Sequence, residues 1–397
     1  MKLASRLEAI DPFYVMEMAK AARAMADEPG CDPLRGGEPM IYLNIGEPDF
    51  TASTRVQEAA TECLQAGRTQ YTPSLGLPAL RQAISGWYRQ RWQLDVAPER
   101  IVITAGASAA LQLITLALVD AGDEILMPDP CYPCNRHFVA AAGGKARLIP
   151  TTAAQRFQLD AASVRAHWNA HTRGVLLASP SNPTGTSVEP SEMRKIVQTV
   201  RERGGVTMVD EIYLGLSYES HFGHSALGLG DDVISINSFS KYFGMTGWRL
   251  GWLVLPQPLV APVEKLAQNL YICASAVAQH AALACFEPAA IADFEQRRGE
   301  FARRRDLVVE GMNRLGLTVP VVPDGAFYVW AKTGAHASSS WDFCFELLHK
   351  AHVVLTPGRD FGPAMAEDFL RLSFANSVPH LTTALQRLER TLGAARP

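Results

Sequence analysis

Lys241 lies in Asn237-Ser238-Phe239-Ser240-Lys241-Tyr242-Phe243-Gly244-Met245-Thr246-Gly247-Trp248-Arg249, and the residue types here could do covalent chemistry. The apolar run Val233-Ile234-Ser235-Ile236 reads as a buried strand that delivers the lysine to its C-terminal end. An amine in that position can form a Schiff base with a carbonyl. Ser238, Ser240 and Arg249 supply hydroxyls and a guanidinium of the kind that hold a phosphate dianion. Together they point to a ligand carrying both an aldehyde and a phosphate, a description that pyridoxal phosphate meets.

Further candidates fall just after other strand-like runs. Ile101-Val102-Ile103-Thr104 leads into Ala105-Gly106-Ala107-Ser108, where small residues open a helix and its amides could meet a phosphate. Leu126-Met127 leads into Asp129-Pro130-Cys131-Tyr132-Pro133, which presents an aromatic ring from a rigid turn. Ser179-Pro180-Ser181-Asn182-Pro183-Thr184-Gly185 holds Asn182 in a stiff loop, where its amide could donate to a phenolate oxygen. Val206-Thr207-Met208-Val209 ends in Asp210-Glu211-Ile212-Tyr213. A carboxylate at the end of a buried strand is costly unless paired, and a pyridinium nitrogen is a suitable partner for Asp210. Tyr213 could reach a ring oxygen.

The elements that must position these groups alternate. Candidate strands are Arg100–Thr104, Glu124–Pro128, Ala146–Pro150, Gly174–Ala178, Val206–Asp210, Val233–Asn237 and Leu250–Leu255, with helical patterns over Ala107–Val119 and Ser191–Arg203. This spacing predicts an α/β architecture with a mostly parallel sheet, in which ligands gather beyond the carboxyl ends of the strands. Pro262–Phe286 reads as one long helix with the proline in its first turn. After it, an arginine-rich helix over Ile291–Leu315 and short strands at Ala326–Ala331 and Phe369–Phe374 suggest a smaller α+β unit. The expected division is 1–45 as a segment joining that smaller unit, 46–285 as the large ligand-binding domain and 286–397 as the small domain.

In order and context these motifs resemble the fold type I pyridoxal-phosphate enzymes, specifically the class I/II aminotransferases of the aspartate aminotransferase superfamily. The resemblance runs from about Ile10 to Asn376. It includes Asn44-Ile45-Gly46-Glu47-Pro48-Asp49-Phe50, Tyr71-Thr72-Pro73-Ser74-Leu75-Gly76 and Arg371-Leu372-Ser373-Phe374-Ala375. It implies a seven-stranded, mostly parallel sheet between helices and a reaction that moves an amino group between an L-amino acid and a 2-oxo acid by ping-pong half-reactions. Lys241 would carry the cofactor as a Schiff base and shuttle the proton from the substrate Cα. Asp210 would keep the ring nitrogen protonated, so that the ring accepts electrons. Asn182 and Tyr213 would hold the ring oxygen, Tyr132 would stack on the ring, and Ala107, Ser108, Ser238, Ser240 and Arg249 would form the phosphate cup. Arg371 would pair with the substrate α-carboxylate, with Gly46 and Asn182 on the same side. Tyr71 would reach the phosphate of a neighbouring subunit, which implies a homodimer. Many relatives carry glycine, lysine or threonine where this chain has Ala107-Ser108, so backbone donation is the safer expectation there. The same fold also serves carbon–sulfur β-lyases, which the cofactor motifs do not separate from transaminases.

Composition agrees with a globular enzyme: 48% hydrophobic and 19% charged residues, with a formal net charge of −3. That charge gives no electrostatic reason to expect nucleic acid or an anionic membrane as partner. No basic helix-turn-helix pattern precedes Gly46, no long apolar span occurs, and the N-terminus lacks a signal-like core, so a cytoplasmic enzyme is expected. The seven cysteines are scattered. Cys131-Tyr132-Pro133-Cys134 forms a CxxC near His137, but no second pair completes four ligands, so no metal is expected. Arg371 accounts for one carboxylate, and no second cation is assignable. Ile10-Asp11-Pro12-Phe13-Tyr14, which in the family packs over the substrate side chain, is largely apolar. The expected donor is therefore a neutral amino acid, because a distal carboxylate against such a wall would be desolvated without a partner.

Overall fold

The computed structural model describes residues 2–393. Seven strands form the central sheet in the order Ile101–Thr104, Gly251–Val254, Ile234–Ser238, Val206–Asp210, Thr172–Ala178, Glu124–Asp129, Lys145–Pro150. All pairings are parallel except the two made by Gly251–Val254. The middle strands are largely buried because helices cover both faces, and they are rich in Val, Ile and Leu apart from Thr207, Ser235 and the polar residues at their ends. On one face, Gly106–Leu118 and Gln257–Leu270 pack Leu113, Ile114, Val260 and Val263 against Val102, Met127 and Ile236. On the other, Ala161–His167 and Pro190–Glu202 pack Val164, Ile196 and Val200 against Val175, Leu177 and Val209.

A three-stranded antiparallel sheet, Thr356–Pro357, Phe369–Ser373 and Tyr328–Lys332, stands apart from the first. The 27-residue helix Pro288–Arg314 leads into this part of the chain. Ile41–Tyr42 pairs in parallel with Val353–Val354, so the N-terminal segment is sewn to the C-terminal one. The first helix, Tyr14–Ala26, buries Val15, Met18, Ala19 and Ala22; the sequence reading assigned it no element.

Pro262–Phe286 is not one helix. A helix over Gln257–Leu270 holds Pro262 in its interior, past its first turn, and a second helix follows at Ala276–Ala282 before a 3₁₀ turn at Leu283–Phe286. Two local features cause the break. Ile272 adopts a left-handed φ of 65°, which no helix continues through. The Ser275 hydroxyl accepts from Ala278 N at 3.3 Å and caps a new start. Among the described residues, no helix is long and apolar enough to cross a membrane.

Candidate active site

A cavity of about 410 Å³ opens at the carboxyl edge of the central sheet. Thr104, Asp129, Ala178, Asp210 and Ser238 end their strands along that edge. Gly251–Val254 runs antiparallel, with Gly251 opposite both Thr104 and Ser238. The single reversed strand therefore begins where the parallel ones end, and its leading residue, Arg249, arrives at the same edge. Apart from Tyr71, every site residue expected from the sequence lines this cavity: Gly46, Ala107, Ser108, Tyr132, Asn182, Asp210, Tyr213, Ser238, Ser240, Lys241, Arg249 and Arg371. Tyr71 does not; it stands 79% exposed on the surface.

Lys241 follows the strand Ile234–Ser238, and its Nζ donates to Gly46 O at 2.6 Å. Burial, above all, pushes the amine down to about 8. A lysine poised there is neutral often enough near neutral pH to act as a nucleophile or base. Asp210 is buried at the end of its strand, and its carboxylate accepts one hydrogen bond, from Ile212 N at 3.2 Å. Burial pushes it up to about 7. Tyr213 is held well above the usual phenol range by burial, so it remains a hydroxyl, paired with the Tyr328 hydroxyl at 2.8 Å.

Opposite these, Arg249 lies across the N-terminus of the helix Gly106–Leu118. A Cβ on Gly106 would come within 2.6 Å of Arg249 Nη2, and Gly106 has a φ of +81°, so only glycine permits this approach. The guanidinium, the first-turn amides, Ser108 and Ser240 converge with no protein carboxylate paired to Arg249 among the described residues. This is an anion cradle. The Ser238 hydroxyl is turned inward, accepting from Ser240 N at 3.0 Å and shaping the turn.

Arg371 is 2% exposed and carries no carboxylate partner among the described residues. Its Nη1 donates to Asn182 Oδ1 at 2.8 Å and its Nη2 to Asn44 O, while Nε has no partner. The guanidinium sits over the Tyr328 ring at 4.4 Å and the Phe361 ring at 4.9 Å. A buried cation left unpaired in this way is costly, and a planar carboxylate is the group its fork matches. Tyr328 is the residue sequence reasoning missed. It contacts Tyr213 and Arg371, and its hydroxyl occupies the space a Cβ at Gly46 would need, 1.9 Å away. Nothing in Ala326-Phe327-Tyr328-Val329 marks it out from an ordinary buried strand. Asn44 and Asp360 were missed for the same reason.

Phe13, Val15, Met16 and Ile45 give the cavity an apolar wall, with Phe13 edge-on to Tyr132 at 6.3 Å, while Glu47 and Thr246 add a polar pair, the Thr246 hydroxyl donating to Glu47 Oε1 at 2.6 Å. A phosphate, a protonated pyridine nitrogen and an aldehyde find, respectively, the anion cradle, the underpartnered Asp210 and the Lys241 amine. The residues present thus fit pyridoxal 5′-phosphate.

Sequence and structure comparisons agree with that fit. Residues 38–388 match the family model described as aminotransferase class I and II. A valine–pyruvate aminotransferase of Mycobacterium tuberculosis is 37% identical over 380 residues, covering 96% of both chains. An aspartate aminotransferase of Thermotoga maritima is 33% identical over 98% of this chain and 99% of that protein. Among solved structures, an aminotransferase from Mycobacterium tuberculosis superposes with a TM-score of 0.93 at 36% identity over 99% of both chains. An aspartate aminotransferase from Thermus thermophilus with maleate gives 0.91 at 31% identity over 99% of this chain and 100% of that one. With the family model spanning most of its length and relatives matched almost end to end, this chain belongs to the class I and II aminotransferases, a transaminase of the aspartate aminotransferase-like fold.

Proposed function

We propose that this enzyme transfers the amino group of a neutral L-amino acid, aliphatic or aromatic, to a 2-oxo acid, in two half-reactions through one pocket. The observation that carries the donor class is the set of cations lining the cavity: Lys241, Arg249 and Arg371. Lys241 is the nucleophile, Arg249 belongs to the phosphate cradle, and Arg371 takes the α-carboxylate. None is left for a distal acid group, and Glu47, also lining the cavity, would repel one. Phe13, Val15, Met16 and Ile45 offer an apolar side chain instead a surface of like kind. The name of the Mycobacterium tuberculosis relative fits this reading, and those of the aspartate aminotransferases pull against it.

When bound, pyridoxal 5′-phosphate supplies a ring that accepts the electron pair left when the donor's Cα–H bond breaks. Lys241 Nζ would hold the cofactor through its aldehyde and would move the proton from the donor Cα. Asp210 holds a proton on the ring nitrogen; its underpartnered carboxylate has the charge and position for that. Tyr213 and Asn182 would donate to the ring oxygen, and Tyr132 would pack on the ring. Ala107 N, Ser108, Ser240 and Arg249 grip the phosphate. Arg371 and Gly46 orient the donor carboxylate, and the donor leaves as its 2-oxo acid before the second 2-oxo acid enters.

Tyr71 is exposed and does not line its own chain's cavity. We assign it to the phosphate site of a second copy, so that two chains share their active sites as a homodimer. The division of the chain into a large domain over 46–285 and a small one over 286–397, joined by 1–45, is supported by the two separate sheets and the Ile41–Val353 pairing.

Single-turnover half-reactions with a panel of amino acids test the donor class. Leucine, valine or phenylalanine should convert at least about tenfold faster than aspartate, since leaving a buried acid unpaired costs a few kcal/mol. Faster reaction with aspartate would overturn it. Borohydride reduction followed by peptide mapping should place the cofactor on Lys241 and nowhere else. Pyruvate and ammonia released from cystathionine without an acceptor would identify a carbon–sulfur β-lyase instead.

A further inference from the structure

The first helix brings Phe13, Val15 and Met16 to the pocket, yet its own sequence gives it no cap. The N-cap position is Phe13, which has no acceptor to offer the free amides of the first turn. The acceptor comes from the far end of the chain. Asp360 Oδ1 takes Tyr14 N at 2.9 Å and Oδ2 takes Val15 N at 2.7 Å, across 346 and 345 residues. Asp360 is completely buried, and its backbone carbonyl accepts from Arg136 Nη2 at 3.1 Å. Both its oxygens are therefore committed to the helix.

A second tie holds the same turn. Asn44 Nδ2 donates to Val15 O at 3.2 Å, and Asn44 O accepts from Arg371. Asp360 itself stands just past the strand Thr356–Pro357, whose Thr356 is paired with Arg371. The turn that carries the apolar wall is thus pinned from two sides to the framework around the carboxylate-binding arginine. Asn44 meets it through a single amide hydrogen bond, whereas Asp360 meets it through two charge-assisted ones, the stronger kind.

We propose that Asp360 is a specificity-determining positioning residue: by capping the first helix it sets the position of Phe13, Val15 and Met16, and so how well the pocket holds a donor's apolar side chain. The inference rests on the neutral-donor reading above and deepens it. Asp360 does not itself line the cavity. Removing it should loosen the wall while leaving Lys241, Asp210 and Arg371 in place.

The test is the ratio of KM values for leucine and alanine, measured in the cofactor-loaded enzyme, with kcat for each. Alanine presents one methyl and needs little of the wall. Asp360→Ala should raise KM for leucine about tenfold, the scale of losing a methylene or two of pocket contact, and change KM and kcat for alanine by less than about threefold. Asp360→Asn keeps one oxygen acceptor and should give an intermediate ratio. Hydrogen exchange at the Tyr14 and Val15 amides should speed up in the same order. Equal loss on both donors, or an unchanged ratio, would overturn the proposal, as would failure of both variants to fold, which would make Asp360 a plain structural residue. The wild-type panel judges the neutral-donor reading separately, since the change in ratio can be read whichever donor the wild type turns over fastest.

Discussion

Asp210 and Glu211 are neighbours at the end of one strand, both buried, and burial pushes both carboxyls upward. Their surroundings are opposite. Glu211 turns away from the cofactor cavity and accepts from Ser225 Oγ at 2.9 Å, Ser235 Oγ at 2.6 Å and Ala226 N at 2.6 Å. Asp210 faces the cavity with a single backbone donor. One carboxylate is completed by the fold; the other is left for a guest. The same contrast holds between two arginines. Arg304, also buried, is neutralised by Asp49 and Glu300, while buried Arg371 forms no salt bridge among the described residues. In these two pairs the group that serves architecture is satisfied, and the one that serves chemistry is left for a ligand.

Five substitutions test that division, beginning with the largest effect. Lys241→Ala should cut the transamination rate by on the order of 10⁴-fold, the upper range for losing a proton-transferring group, with an unchanged circular dichroism spectrum. Wild-type turnover in that variant would end the mechanism. Across the strand end, Asp210→Ala should lower kcat by roughly 10³-fold while the protein melts no earlier. Glu211→Ala should do the reverse: about 3 kcal/mol of stability lost, from three buried donors left unpaired, with kcat per folded molecule within about threefold of wild type. A Glu211 variant that keeps its melting temperature and loses activity would erase the distinction between the two acids.

The unsatisfied state of Asp210 also has a pH signature in the cofactor-free protein. Its carboxyl titrates at about 7 when folded, against an ordinary value of 3.8. Between those values the folded state keeps a proton the unfolded chain has released. Stability therefore falls as pH rises through that window and stays lowered above it. Asp210→Asn cannot ionise, so its advantage should be absent near pH 4 and complete by about pH 8. A few kcal/mol is expected, the worth of a shift from 3.8 to about 7; the desolvation of the amide is the same at every pH and adds nothing to the pH dependence. Thermal melts at several pH values decide it; a constant difference across the range would show that the Asp210 charge is not the cause. Smallest of all, Tyr328→Phe removes the hydroxyl paired with Tyr213 and should lower kcat about fivefold, the worth of one hydrogen bond. An unchanged rate would leave Tyr328 only its packing beneath Arg371.

The seven strands of the central sheet were legible in the sequence because each is a short, largely apolar run bounded by turn residues and alternating with helical patterns. Lys241 and Asn182 follow such runs, Asp210 ends one and Arg249 leads into one, so local pattern was enough to single them out as candidates. The segment at Pro262–Phe286 was not, since its apolar pattern continues through a break made by the backbone at Ile272 and a cap at Ser275. Tyr328, Asn44 and Asp360 were invisible for a related reason: a buried tyrosine on a strand or an aspartate in a turn looks like any other until its partner is known.

What the residues alone determined is the set of chemical groups and the order in which the strands deliver them to one edge. Local pattern suffices for that, because a strand end is a local event. What only the tertiary structure decided is which groups meet. The reversal of Gly251–Val254 brings Arg249 to the carboxyl edge. Ile41–Tyr42 pairing with Val353–Val354 brings the first helix to Asp360 and Asn44 to Arg371. Those contacts join residues more than three hundred positions apart, and their formation depends on packing across the whole core rather than on any window of sequence.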